Sequence, residues 1–199
     1  MTAVITGDVI NSRMEKASEW LPLLKGVLNQ YGSTPSQWEI FRGDSFQLEL
    51  EPEEALRAAM HIKTGVKQAT HLDVRIAIGI GEKTHQAKKI TESNGSAFVH
   101  SGECFETLKK QTLAIKSPNP ELDETINLLL ALALLTMNNW STVTSLAVKT
   151  ALENPQKNQK ELAALLSKSQ SNISETLKRA GFEEITRLEE KYRTLIKRL

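Results

Sequence analysis

The sequence predicts an α+β protein in two parts: a β-α-β-β-α-β unit over residues 1–118 and an all-helical unit over 119–199. Three observations carry that prediction. Residues 73–81 place Val74, Ile76, Ile78 and Ile80 at strict alternation, the period of a strand. Helical spacing instead governs residues 18–31 and the stretch after Pro52, one on each side of a pair of short apolar runs. Beyond Pro118 and Pro120 the alternation ends, and only helical periods follow.

In chain order, residues 3–7 form a short apolar run closed by Gly and Asp, the profile of a buried strand. Trp20, Leu24, Val27 and Tyr31 then line one face of a helix. Residues 38–41 and 46–50 read as two strands joined by the hairpin Arg42-Gly43-Asp44-Ser45. Pro52 suits a helical first turn, and Ala55, Ala59, Ile62 and Val66 mark that helix's buried face. After the 73–81 strand, residues 95–99 read as a fifth strand, 102–110 as a short helix and 113–116 as one more strand. Cys104 is expected to pack as a small apolar residue. Residues 121–139 are apolar on most sides, which predicts a helix buried between neighbours.

The order β-α-β-β-α-β is the ferredoxin-like arrangement, in which strand 1 lies antiparallel to strand 3. That pairing brings Asp8 beside Asp44. Two neighbouring carboxylates repel unless a cation, a proton or hydrogen bonds compensate, and Mg²⁺ or Mn²⁺ completed by substrate phosphate oxygens is the usual solution. Gly7 and Gly43 adjoin the two acids and permit close approach of backbone or phosphate. Arg13 suits a two-point phosphate contact. Asp8 has a second reading as a turn cap, and Lys89 as solvated helix surface.

Composition narrows the function classes. The 25 basic and 24 acidic residues nearly cancel, but residues 154–199 hold 10 basic and 6 acidic ones, so a tail of +4 follows a first part of −3. That sign suits contact with nucleic-acid phosphates. A single cysteine excludes an internal disulfide and fits a reducing cytoplasm, with no secretory signal expected at the N-terminus. The longest apolar run, 126–137, is shorter than a membrane span and lacks the basic face of an interfacial helix, so no membrane partner is expected.

Two segments point further. Thr6-Gly7-Asp8-Val9-Ile10-Asn11-Ser12-Arg13, followed by Phe41-Arg42-Gly43-Asp44-Ser45-Phe46-Gln47, resembles the paired GDIVNSR and GDEFQ signatures of the SatD family of bacterial proteins. More distantly, the strand order and the aspartate pair resemble the palm of nucleotidyl and diguanylate cyclases. The resemblance implies metal ligation by Asp8 and Asp44, with a nucleotide site drawn from Gly7, Val9, Asn11, Ser12, Arg13, Gly43 and Lys89. It also implies a helix after the fourth strand that carries His85 and Lys89, and weak turnover: these two stand where cyclases carry Asn and Arg, and Ile40 where a purine-selecting lysine is common. Arg42-Gly43-Asp44-Ser45 lacks the second Gly and the Glu of the diguanylate cyclase loop.

Residues 159–178 resemble the helix-turn-helix of bacterial regulators. Ala163 supplies the small residue at the helix crossing, Leu162, Leu166, Ile173 and Leu177 the core, and Ser169 the cap of the second helix. Ser167 replaces the usual turn glycine. Double-stranded DNA is the expected partner, met by Gln170, Ser171 and Asn172 at base edges and by Lys168, Lys178 and Arg179 at phosphates. Ile185, Leu188, Tyr192, Leu195 and Leu199 form a heptad stripe that offers a homodimer seam. The expected function is a nucleotide- and metal-binding regulator with a DNA-binding tail. A two-metal nucleotidyl-transfer enzyme and a protein-interaction scaffold stand as alternatives.

Overall fold

The computed structural model describes residues 1–199, an α+β chain with a five-stranded mixed sheet and eight α-helices. The strands are β1 (Thr2–Ile10), β2 (Trp38–Phe41), β3 (Ser45–Leu50), β4 (Asp73–Gly81) and β5 (Leu113–Lys116), ordered β2-β3-β1-β4-β5. Antiparallel pairing joins β2 to β3, β3 to β1 and β1 to β4, while β5 runs parallel to β4.

Alternation along β1 separates two layers. Ala3, Ile5 and Val9 turn toward α1 (Ala17–Leu28) and α2 (Ala55–Val66), with Phe46, Leu48, Ile76 and Ile78 completing that core. Thr6 and Asp8 turn to the opposite face, where α3 (Ser96–Thr107) crosses the sheet and Thr6 Oγ1 lies 2.9 Å from Ser101 Oγ. The helix approaches so closely that a side chain at Gly79 would collide with the backbone of Ala97 and Ser101. Cys104 is buried beside Ala77 and Leu108, and burial pushes its thiol up to about 12.

Residues 95–110 correct the sequence reading. A single helix, α3, replaces the expected strand at 95–99 and short helix at 102–110. Gly102, where the short helix was expected to begin, stands inside that helix with open space around it, so it interrupts nothing. The expected helix after β4 is absent too: residues 82–95 form a loop with a His85–Asn94 bridge and a single 3-10 turn at Ile90–Glu92.

The remaining helices are α4 (Pro120–Met137), α5 (Thr142–Glu153), α6 (Gln159–Leu165), α7 (Gln170–Arg179) and α8 (Phe182–Ile196). Their starts are capped as the side chains dictate. Asn119 accepts from Leu122 N, Ser141 from Thr144 N, and Ser169 from Asn172 N, while Asn158 and Glu161 form a reciprocal capping box. One cluster of 41 buried apolar side chains runs from Ala3 to Ile196, so both parts of the chain share a core.

That shared core explains α2. Its expected buried face was one stripe, yet every residue but Arg57 is withdrawn from solvent, because the sheet covers one side and α1, α5 and α8 the others. Lys63 is 1% exposed and donates to Asp73 Oδ1 at 2.7 Å and Asn138 Oδ1 at 2.8 Å. His61 bridges Tyr31 and Glu153, each at 3.1 Å. Desolvation lowers the His61 pKa against the pull of Glu153. The heptad stripe of α8 packs largely within the chain: Ile185 and Tyr192 are buried, and the Tyr192 hydroxyl donates to Pro52 O at 2.8 Å. Leu188, Leu195 and Leu199 are half-buried at its edge.

Replacing Lys63 by Met is expected to cost about 3 kcal/mol in urea denaturation, the lower end for breaking a buried ion pair, since Lys67 still neutralises Asp73. Burial pulls Lys63 down to about 8 despite the Asp73 carboxylate, against about 10.4 in an unfolded chain. Between those values the unfolded chain binds the extra proton, so stability rises with pH. The gap between wild type and the Met variant should therefore be flat below about pH 8 and widen above it; a gap that narrows contradicts this account.

Candidate functional site

The C-terminal end of β1 opens into a cleft of about 580 Å³. Strand pairing builds it. Asp8 lies opposite Ser45 of β3 on one side and Arg75 of β4 on the other, and Val9 N donates to Asp44 O at 3.2 Å. Asp8 and Asp44 thus line one wall together, as the topology requires. The chain then turns sharply: Asn11 adopts a left-handed conformation with φ 62°, held by a bond from its Nδ2 to His71 O at 3.2 Å. Gly43 at φ 94° makes the facing hairpin possible. Lys109, also left-handed at φ 45°, ends the turn after α3 and brings Lys110 and Thr112 to the opposite wall.

Both aspartates are already partnered. Arg75 grips Asp8 with two bonds, one from Nε to Oδ1 at 3.0 Å, the other from Nη2 to Oδ2. This grip raises the Arg75 pKa, and the guanidinium also lies 5.4 Å from the Phe105 ring centre. Ser12 Oγ donates to Asp44 Oδ2. Arg13, Arg75, Lys109 and Lys110 outnumber Asp8 and Asp44 around the cleft, which leaves it net positive. Arg13 is exposed and makes no ion pair.

This donor set does not suit a resident Mg²⁺ or Mn²⁺. A hard cation needs carboxylate oxygens free to ligate, and both oxygens of Asp8 accept from a guanidinium. No group of three His, Cys, Asp or Glu side chains is arranged to hold a metal. A cleft lined by Arg13, Lys109 and Lys110, none of them in an ion pair, suits an anion instead.

The structure redistributes the expected nucleotide residues. Asn11, Ser12 and Arg13 line the cleft. Val9 borders it but buries its side chain in the core. Gly7 does not serve a ligand: it faces the core, where an added Cβ would strike the Phe46 ring and stand 2.7 Å from Arg75 O. Gly43 has open space around it and matters through its turn conformation. Lys89 is outside the cleft, exposed in the loop beside β2 with Nζ 3.9 Å from Glu39. Arg75, Lys109, Lys110 and Thr112 escaped the sequence reading. Arg75 was within its reach, since the same topology that places β3 beside β1 places β4 on the other side, with Arg75 on the outward phase.

A family model described as the SatD family matches residues 2–196. The chain belongs to the SatD family. No curated protein and no solved structure matches it. The family match spans both the cleft and the helical part, so the α6–α7 pair is as much a part of the family's chain as the paired aspartates.

In that pair, Ser167 takes the left-handed turn conformation at φ 52°, the geometry for which a glycine is usual. Lys168 N donates to Ala163 O at 2.9 Å and closes the turn. Ile173, Thr176 and Leu177 are buried against the neighbouring helices. Lys168, Gln170, Ser171, Asn172, Lys178 and Arg179 are all exposed, and Lys178 also borders a groove shared with α6 and α8. Glu175 stands on the same outer side.

Gly7→Ala is expected to destabilise the protein by about 1–3 kcal/mol through overpacking against Phe46 and the β4 backbone. Urea denaturation of the purified variant measures this; an unchanged midpoint would return Gly7 to the list of ligand-facing residues.

Proposed function

We propose that this SatD-family chain is a DNA-binding regulator whose helix-turn-helix, α6–α7, acts beside a cleft that takes the phosphates of a nucleotide. The observation that carries the reading is the state of the second helix. Its first turn presents Gln170, Ser171 and Asn172 to solvent beside Lys168 of the preceding turn, while Ile173 and Leu177 anchor it to the core. Gln and Asn side chains pair two-point with adenine, and a recognition helix offers this end to the major groove. Glu175 matches a cytosine amino group on that face and repels a backbone phosphate, so it contributes selectivity rather than affinity.

For the cleft, the reading rests on charge and form. The first four strands, with order β2-β3-β1-β4 and alternating directions, support a ferredoxin-like palm. Arg13, Lys109 and Lys110 are the groups that a polyphosphate would meet, with Ser12 and Thr112 as neutral partners. Mg²⁺ or Mn²⁺ enters only as the counter-ion that a nucleotide carries with it. A nucleotidyl-transfer reading loses ground because Asp8 is committed to Arg75.

Fluorescence anisotropy with duplex from the protein's own promoter region and with random duplex tests the tail. Gln170→Ala and Asn172→Ala should each weaken binding to a preferred site by about 1–3 kcal/mol and leave random duplex unaffected. Lys168→Ala should weaken both and reduce the salt slope by about one unit. Salt-insensitive binding, or none to either duplex, overturns the DNA reading. For the cleft, thermal shifts with nucleoside triphosphates and pyrophosphate should appear without added metal and vanish in an Arg13→Ala/Lys110→Ala variant. A ligand at 100 times its Kd adds about 2.7 kcal/mol, and a shift that requires Mn²⁺ would restore the metal-first reading.

A further inference from the structure

The helix α4 is not buried on most sides. Ile126, Leu130, Leu134 and Met137 face the core, but Leu128, Leu132 and Leu135 are 63%, 58% and 71% exposed. From Thr125 to Val148 the chain carries no charged residue at all. Beside this apolar ridge runs a groove of about 390 Å³ between α4 and α8, walled by Leu129, Ala133, Ile185 and Leu188. Scattered exposed leucines need no explanation, but a contiguous ridge and groove on one face do.

We propose that a second copy of this chain covers that face, giving a twofold dimer with the two α4 helices antiparallel. The sequence of the ridge is its own complement. In the antiparallel register that sets Leu128 against Leu135 of the second copy, Ala131 meets Leu132 of the copy at the crossing, the small side chain leaving room for the large one. An isologous interface requires such self-complementarity. Charge selects the direction: a parallel pair would bring the Glu121 and Glu124 side chains of both copies together, whereas the antiparallel pair sets Glu124 against the uncharged Asn139 and Glu121 level with the uncharged Thr142, past the end of the second copy's α4. Opposed helix dipoles act in the same sense.

The face is large enough. A helix of 18 residues is about 27 Å long and, with α8 beside it, about 20 Å wide. That gives a plan area of about 540 Å², which surface relief enlarges toward the roughly 800 Å² per partner of a stable interface. The α8 stripe contributes its half-buried edge at Leu188, while Ile185 and Tyr192 remain in the core of their own chain. The dimer first expected through α8 is thereby moved to α4. It does not depend on the DNA or nucleotide reading, since the experiment reads mass and proximity alone.

Light scattering of the full chain at micromolar concentration should report twice the 22.2 kDa chain mass. Leu132→Glu should give the monomer with an unchanged far-UV circular dichroism spectrum. Independently of that variant's behaviour, Ala131→Cys should cross-link under mild oxidation, since the twofold axis passes between positions 131 and 132 and leaves the two copies of this residue offset by only one residue. Leu128→Cys should not, until combined with Leu135→Cys. A monomeric wild type overturns the proposal, as does a dimer in which Ala131→Cys fails to cross-link or Leu128→Cys alone succeeds.

Discussion

A lysine ammonium taken almost wholly out of water sets the terms for the rest of this structure. Lys63 belongs to α2, the helix that both parts of the chain pack upon, and a charge in that position is tolerable only when it is paired and hydrogen-bonded. Its partners come from three places: Asp73 at the start of β4, Thr112 just before β5, and Asn138 at the end of α4. None of the three can move independently without leaving a buried charge short of a partner. Apolar contact supplies most of the burial in the shared core but no fixed register. The polar cluster supplies the register, and fixes where α4 ends relative to the sheet.

The cleft follows from that fixed register. Because Asp73 starts β4 opposite Ile10, Arg75 falls two residues later and directly across from Asp8. The pairing then decides the chemistry. A carboxylate pair alone invites a divalent cation, but a guanidinium on one of the two cancels the invitation and tips the surroundings positive. Thr112 lines the cleft and also donates to Asn138 Oδ1 at 2.8 Å, so the cleft wall and the polar cluster are one connected set of bonds.

Much of this was legible from residue order, and the failures have physical causes. β2 and β4 were readable to the residue, because Val74, Ile76, Ile78 and Ile80 alternate with smaller or polar residues along β4 and a hairpin punctuates β2. The Asp8–Asp44 juxtaposition followed from topology. The α3 region misled because Ala97-Phe98-Val99 is a short apolar run, where strand and buried helix look alike. The all-round burial of α2 was hidden because His61 and Lys63 look like surface residues until the helical part covers them. The outward leucines of α4 misled in the opposite sense, since an apolar side chain is taken to be inside unless something else will cover it. Lys109 and Lys110 gave no signal of their own, being one basic pair among many, and acquire meaning only where the left-handed turn at Lys109 aims them into the cleft.

The α4–α5 corner is the narrowest link between the two halves of the proposed function. Asn138 accepts from Lys63 and Thr112, and two residues on, Trp140 Nε1 donates to Ala180 O at 3.0 Å, the carbonyl that ends α7. Trp140 is buried, so this bond is not exchanged with water, and the turn of Gly181 into α8 is held at the same point. The helix α7 is therefore not a module on a tether. Its C-terminal end is bonded to the corner of the helix whose cap touches the cleft wall, while its N-terminal end, where Gln170 and Asn172 stand, is the free one. Under the proposed reading, an anchored C-terminal end with an exposed N-terminal turn suits base readout, because the entropy of orienting the helix would be met by folding before any DNA is bound.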